Sequence, residues 1–216
     1  MSPDELAGLL RHPDGSTRMR VALVAGTSPD PASVDALVER CSVEPDFFVR
    51  DMLTWALTRL PADVTVPRLV DELSSPFPQA RSQALHTLSK IGDARAQPAV
   101  TDGLLHDEED EVARAAWRAA VVLVPAGEEA ALAEDLAAEL GRREPESRRS
   151  LTRSMVDLGE SARPVLDRVA DSGAFAQRVH ATATLLILDG LHRDFRAAVE
   201  EAQRVALVTK SAEASP

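Results

Sequence analysis

Five histidines, one cysteine and two charge clusters are the groups with which this chain could do chemistry. His12, His86, His106, His180 and His192 stand singly, with no H-E-x-x-H and no paired His–Glu spacing that would set two ligands on one helix face. Cys41 has no second cysteine, which excludes an intramolecular disulfide and a cysteine-based metal cluster; it reads as a small apolar residue buried in a helix. The acidic run "HDEEDE" at 106–111 lacks the alternating oxygen ligands, mid-loop glycine and terminal glutamate of a calcium loop, and reads as a solvated turn. "RREPESRR" at 142–149 is a local basic cluster. No G-x-S-x-G elbow, P-loop or G-x-G-x-x-G is present. The motifs thus offer no catalytic residue, no metal site and no cofactor.

Composition narrows the scaffold that must carry these groups. Of 216 residues, 44% are hydrophobic but only 3% aromatic, with no tyrosine. A core of Ala, Leu and Val favours closely packed helices over an aromatic-rich sandwich. The formal net charge of −11 argues against holding a phosphate backbone, so no nucleic-acid partner is expected. "MSPDELAGLL" lacks the basic and apolar regions of a signal peptide, and the longest apolar run, "LLIL" at 185–188, is far too short to span a bilayer. The expectation is a cytoplasmic protein with no membrane partner. Arginine almost replaces lysine (only Lys90 and Lys210), which with the wealth of Ala, Leu, Val and Asp points to a GC-rich bacterial genome.

The organising feature is a repeat. Arg50, Arg81, Arg114, Arg148 and Arg178 follow one another at 31, 33, 34 and 30 residues, a period of helical solenoids. Three residues after each arginine stand Leu53, Ala84, Trp117, Leu151 and Ala181; apolar residues recur seven and ten after it. Those offsets share one helical face, so each copy shows the same stripe to a core. A second helical segment precedes each anchor, with Pro67, Pro98 and Pro164 near its first turn, where a missing N–H matters least. A degenerate first copy fits Arg18. Asp14, Asp46, Asp110 and Glu144, four before their anchors, can cap the second helices. Phe47, Phe77 and Phe175 read as apolar plugs between turns.

In "VRDMLTWALTRL", "ARSQALHTLSKIGD" and "LLHDEEDEVARAAW" the chain resembles HEAT repeats, specifically the short bacterial type named after phycobilisome lyases. Polar Ser154, where a small apolar residue is common, weakens the register of the fifth copy. The resemblance implies an all-α fold: a right-handed α-solenoid of about six helix–turn–helix repeats over residues 2–191. An amphipathic helix at 192–208, with Phe195, Val199 and Val205 inward, caps it, and 209–216 forms a disordered tail. HEAT-like metalloenzymes need repeated His–Glu pairs, which are missing here.

In such stacks the second helices line the concave face, exposing offsets 1, 5 and 8 after each anchor. Asp51, Trp55, His86, Arg149 and Arg153 fall there, with Arg118 bordering them. Trp55 lies off the core stripe and beside His86, as a binding hot spot would. This favours a non-catalytic protein-interaction scaffold whose concave face takes an unidentified protein or peptide with an apolar anchor and an acidic stretch. Two alternatives stay open: a chromophore or cofactor lyase or chaperone of the phycobilisome-lyase type, and a DNA binder similar to alkylpurine glycosylases.

Overall fold

A computed structural model describes residues 2–213, with side chains through 207. Every regular element among them is helical. The chain falls into two compact units, Met1–Leu123 and Val124–Pro216, each taken by itself below.

The first unit stacks helix pairs in chain order. Helices α1 (Pro3–Leu9), α3 (Val34–Val43) and α5 (Ala62–Glu72) are first helices; α2 (Gly15–Thr27), α4 (Phe47–Arg59), α6 (Pro78–Ile91) and α8 (Asp110–Leu123) are second helices. The second helices pack in sequence, α2 on α4, α4 on α6 and α6 on α8. The first helix of the fourth pair is broken into a 3-10 segment, Ala94–Ala99, and one turn, α7 (Asp102–Leu105), with Pro98 inside the 3-10 segment. Pro67 differs from its expected place: α5 starts at Ala62, which leaves Pro67 well inside the helix.

Three anchor arginines are clamps, each sending Nη1 back to the carbonyl six residues earlier: Arg18 to His12 at 2.8 Å, Arg50 to Glu44 at 2.8 Å and Arg81 to Ser75 at 2.9 Å. Arg18 and Arg50 also reach the carbonyl five back, at 2.9 Å each. A second helix thereby ties down the turn that leads into it. Two clamps reach forward 26 residues as well: Arg18 holds Glu44 bidentately at 2.7 Å, and Arg81 holds Asp107 at 2.9 Å. Asp14 and Asp46 cap α2 and α4 as expected, accepting from the Thr17 and Phe48 amides. Glu144 makes no side-chain cap, and Asp110 is already the first residue of α8.

The core stripe three residues after each anchor is buried in all five copies: Leu53, Ala84, Trp117, Leu151 and Ala181. Trp117 closes its polar requirement by donating Nε1–H to the Leu105 carbonyl at 2.8 Å. Cys41 is buried, and burial pushes its thiol up to about 12. The phenylalanines correct the expectation of plugs: Phe47, Phe77 and Phe175 are 64%, 67% and 46% exposed. Phe47 and Phe77 sit at helix starts, where the side chain projects past the turn rather than into the stack.

The second unit holds α9 (Glu129–Ala137), α10 (Pro145–Asp157), α11 (Arg163–Ser172), α12 (Phe175–Leu188) and α13 (Phe195–Glu213). Helix α13 lies on α12 through Ala198 and Ala202 against Val179 and Ala183, with Val199 alongside; Val205, expected inward, is exposed. The backbone stays helical through Glu213, beyond the expected end at 208. The expected tail therefore begins inside this helix, and 214–216 fall outside the described residues. Ser154 is buried and its hydroxyl finds no partner.

A polar network fixes α10, α12 and the turn between α9 and α10. His180 Nδ1 accepts the Gly141 N–H at 3.0 Å, which puts the ring proton on Nε2, facing the Arg148 carbonyl at 3.1 Å and Thr152 Oγ1 at 3.0 Å. Thr184 donates to the His180 carbonyl at 2.9 Å, so Thr152 donates to Thr184 at 3.0 Å. Gly141 is needed on two counts. Its φ is +75°, and a Cβ there would lie 2.7 Å from the Gln177 backbone nitrogen.

Candidate docking cleft

Ser82, His86 and Lys90 recur every fourth residue along α6 and give that helix one polar stripe. Asp51 on α4 and Arg118 on α8 flank it. Together with Phe47, Arg50, Glu111 and Arg114 they line a cleft of about 390 Å³ within the first unit. Three of the residues expected on the concave face, Asp51, His86 and Arg118, therefore meet.

The cleft is cationic on an acidic chain: Arg50, Lys90, Arg114 and Arg118 stand against two carboxylates, Asp51 and Glu111. His86 is half-buried, and burial holds its imidazole below the usual histidine range. The charges of Arg118 and Lys90 add to that effect and Asp51 opposes it. A neutral imidazole among cations can donate or accept one hydrogen bond without adding charge. Arg50 is held by two turn carbonyls, and its guanidinium carbon lies 6.0 Å above the Phe47 ring. Phe47 meets Phe48 edge-on at 5.6 Å, and Phe48 is 70% exposed. The cleft thus combines a fixed positive floor with an apolar lip.

Trp55 is not part of it. Its ring covers Gly26 of α2 so closely that a methyl group at Gly26 would overlap the ring and stand 2.9 Å from Ala56 Cα. The missing side chain at Gly26 makes the slot on which the ring packs, while Trp55 stays 38% exposed, off the core stripe as expected. Arg149 and Arg153 lie in the second unit, one turn apart on α10. The exposed stripe also differs at Ser82, Ala115, Ala119, Val179 and Ala183, which are buried. Sequence reasoning missed Phe47 as a lip, because its expected partner was a neighbouring turn. It also missed Glu44, whose carboxylate joins Arg18 to Arg40; the one available signal was an acid 26 residues after Arg18 and again after Arg81.

Chain order, clamps and core stripe together describe a tandem repeat in α4 through α8. Residues 49–122 match the family of HEAT repeats. The matched segment contains Asp51, His86 and Arg118, while Phe47 lies two residues before it. No curated protein matches the chain. Among solved structures it is similar to the complex of CpcE and CpcF of phycocyanin lyase from Nostoc sp. PCC7120. The identity is 20% over 95% of each chain, with a TM-score of 0.38. At that score the likeness assigns no activity to this chain. Among the described residues no group of three or more His, Cys, Asp or Glu side chains could hold a metal ion, and no helix is long and apolar enough to cross a membrane.

Proposed function

We propose that the HEAT segment is a non-catalytic docking module that takes an extended acidic segment of a partner protein along α4, α6 and α8. The observation that carries this reading is the reversal of charge: a chain of net charge −11 gathers four cations around one cleft. Such a local field attracts an acidic segment and fixes its register, while the acidic remainder repels other anionic surfaces. Phe47 and Phe48 supply the apolar contact at the lip, and an aromatic residue of the partner is the side chain that suits them.

The test is fluorescence anisotropy with a labelled peptide of alternating Asp and Glu around one Phe. Micromolar binding is expected, weakened on the order of tenfold by Lys90→Glu with Arg118→Glu, and weakened again by raising salt from about 50 to 200 mM. Phe47→Ala lowers affinity without changing the salt slope. Equal binding by the charge-reversed variant would remove the proposal.

A further inference from the structure

We infer that the second unit carries an anion site for a phosphomonoester, formed by Arg149, Arg153 and Arg193 around Phe195. These residues line a cleft of about 140 Å³ with Thr152 and Asp157. The site is independent of the docking cleft, which lies wholly in the first unit.

The state of its arginines carries the inference. Several guanidiniums of this unit pair with carboxylates: Arg143 with Glu139 at 2.6 Å, Arg163 with Glu160 at 2.7 Å and Arg168 with Glu134 at 2.5 Å. Arg149, Arg153 and Arg193 make no hydrogen bond or ion pair among the described residues, although the chain has 35 carboxylates to offer. Arg149 and Arg153 are neighbours on one face of α10, a like-charge pair that weakens a helix unless an anion joins it. Asp157, the one carboxylate in the lining, pairs with none of the three. Local rules broken with no internal compensation are the mark of a site built for a ligand.

The geometry points to the class of ligand. A single carboxylate has two oxygens and saturates one guanidinium fork, whereas three forks from α10 and the loop before α13 ask for a dianion with three free oxygens. A phosphomonoester carries that charge and that oxygen count near neutral pH. Phe195 offers a ring for the ester's carbon skeleton, and its own position is set by an edge contact to His180 at 5.8 Å. The wall is rigid, since Thr152 is buried and hydrogen-bonded to His180 and Thr184.

Phenyl phosphate is the probe, titrated into the full chain labelled for amide NMR. Saturating shifts at Thr152, Arg153 and Phe195 are expected, with Kd on the order of 1 mM or tighter. Arg149→Gln with Arg153→Gln should weaken it at least about tenfold, and benzoate, with the same ring and one charge, should bind at least about tenfold more weakly. Both arginines are exposed, so the variant keeps the wild-type circular dichroism. A phosphotyrosine peptide that binds more tightly than phenyl phosphate identifies a modified protein as the source of the ester. One that binds equally or less tightly identifies a small phosphate ester. Non-saturating shifts, equal binding of benzoate, or an unaffected double variant would overturn the inference.

Discussion

Lowering the pH from about 7 to 5 in urea puts the buried network around His180 under direct test. Burial drives this imidazole down to about 4, with the nearby Arg148 charge acting the same way, while the hydrogen bond to the Arg148 carbonyl opposes them. In the unfolded chain the same ring titrates near 6.5. A group whose folded pKa is depressed contributes stability above its unfolded value and loses it as pH falls toward the folded one. Here the window runs from 6.5 down to 4. The full difference corresponds to about 3 kcal/mol, and about 2 kcal/mol of it is gone by pH 5. The reason is structural. Nδ1 already accepts the Gly141 N–H, so a second ring proton has no acceptor and expels that donor.

The assay must read the second unit alone. Both tryptophans, Trp55 and Trp117, lie in the first unit, so their fluorescence is an internal control. Amide exchange of Ala183 and Thr184 in α12 reports the second unit. His180→Gln is neutral at every pH. Its deficit relative to wild type should shrink by about 2 kcal/mol between pH 7 and 5, while tryptophan-detected unfolding stays parallel for the two proteins. Parallel α12 curves would show that His180 takes its proton without disturbing the network, and the tautomer assignment would fall with them.

Glu44→Ala should lower tryptophan-detected stability by about 3–5 kcal/mol, because it strands the buried Arg18 guanidinium. Wild-type Glu44 is held down to about 2, against burial, by Arg18, the Asp46 N–H and Arg40, so its contribution is present above 4.5 and disappears as pH falls through 2. Gly26→Ala should destabilise by about 1–3 kcal/mol and shift Trp55 emission; Trp55→Ala should destabilise yet leave acidic-peptide affinity unchanged, because its ring packs on Gly26 outside the cleft. Ser154→Ala should raise stability by about 1 kcal/mol in chemical denaturation, since it deletes a buried hydroxyl that has no partner.

What could be read from sequence follows helical phase. Phase needs only residue spacing, and it correctly put Leu53, Ala84, Trp117, Leu151 and Ala181 inside. Phase also sends Ala115 and Ala119 to an exposed stripe, yet both are buried. Small residues let a neighbouring helix approach, and that proximity is a property of two helices, not of one. The packing of Trp55 was hidden for the same reason, since the slot that takes its ring is made by a glycine 29 positions earlier, in another helix. The broken helix at 94–105 shows Pro98 acting within the segment, where the sequence gives no hint of which turn it interrupts. Asp51, His86 and Arg118 met because exposed polar positions on consecutive second helices must share a face. Phe47 was missed because a helix start has no phase to constrain it.

The recurrence of arginine has a physical cause that goes beyond register. Glu44 shows it most fully. Its carboxylate takes Arg18 from the first helix pair and Arg40 from its own. Its carbonyl takes Arg50 from the next helix, at 2.8 Å, and Gln79 from the third pair, at 2.9 Å. One residue thus joins three successive pairs. A solenoid has contacts only between neighbours, so a joint of this kind is how a local stack gains rigidity over a longer reach. An arginine suits the task where lysine would not, because its fork can hold two turn carbonyls or a carboxylate and a carbonyl at once. The clamps draw arginines into the stack together with the acids they hold, Glu44 and Asp107. On a chain that is acidic overall, the cations gathered around His86 and around Phe195 are places where a negative partner can come close.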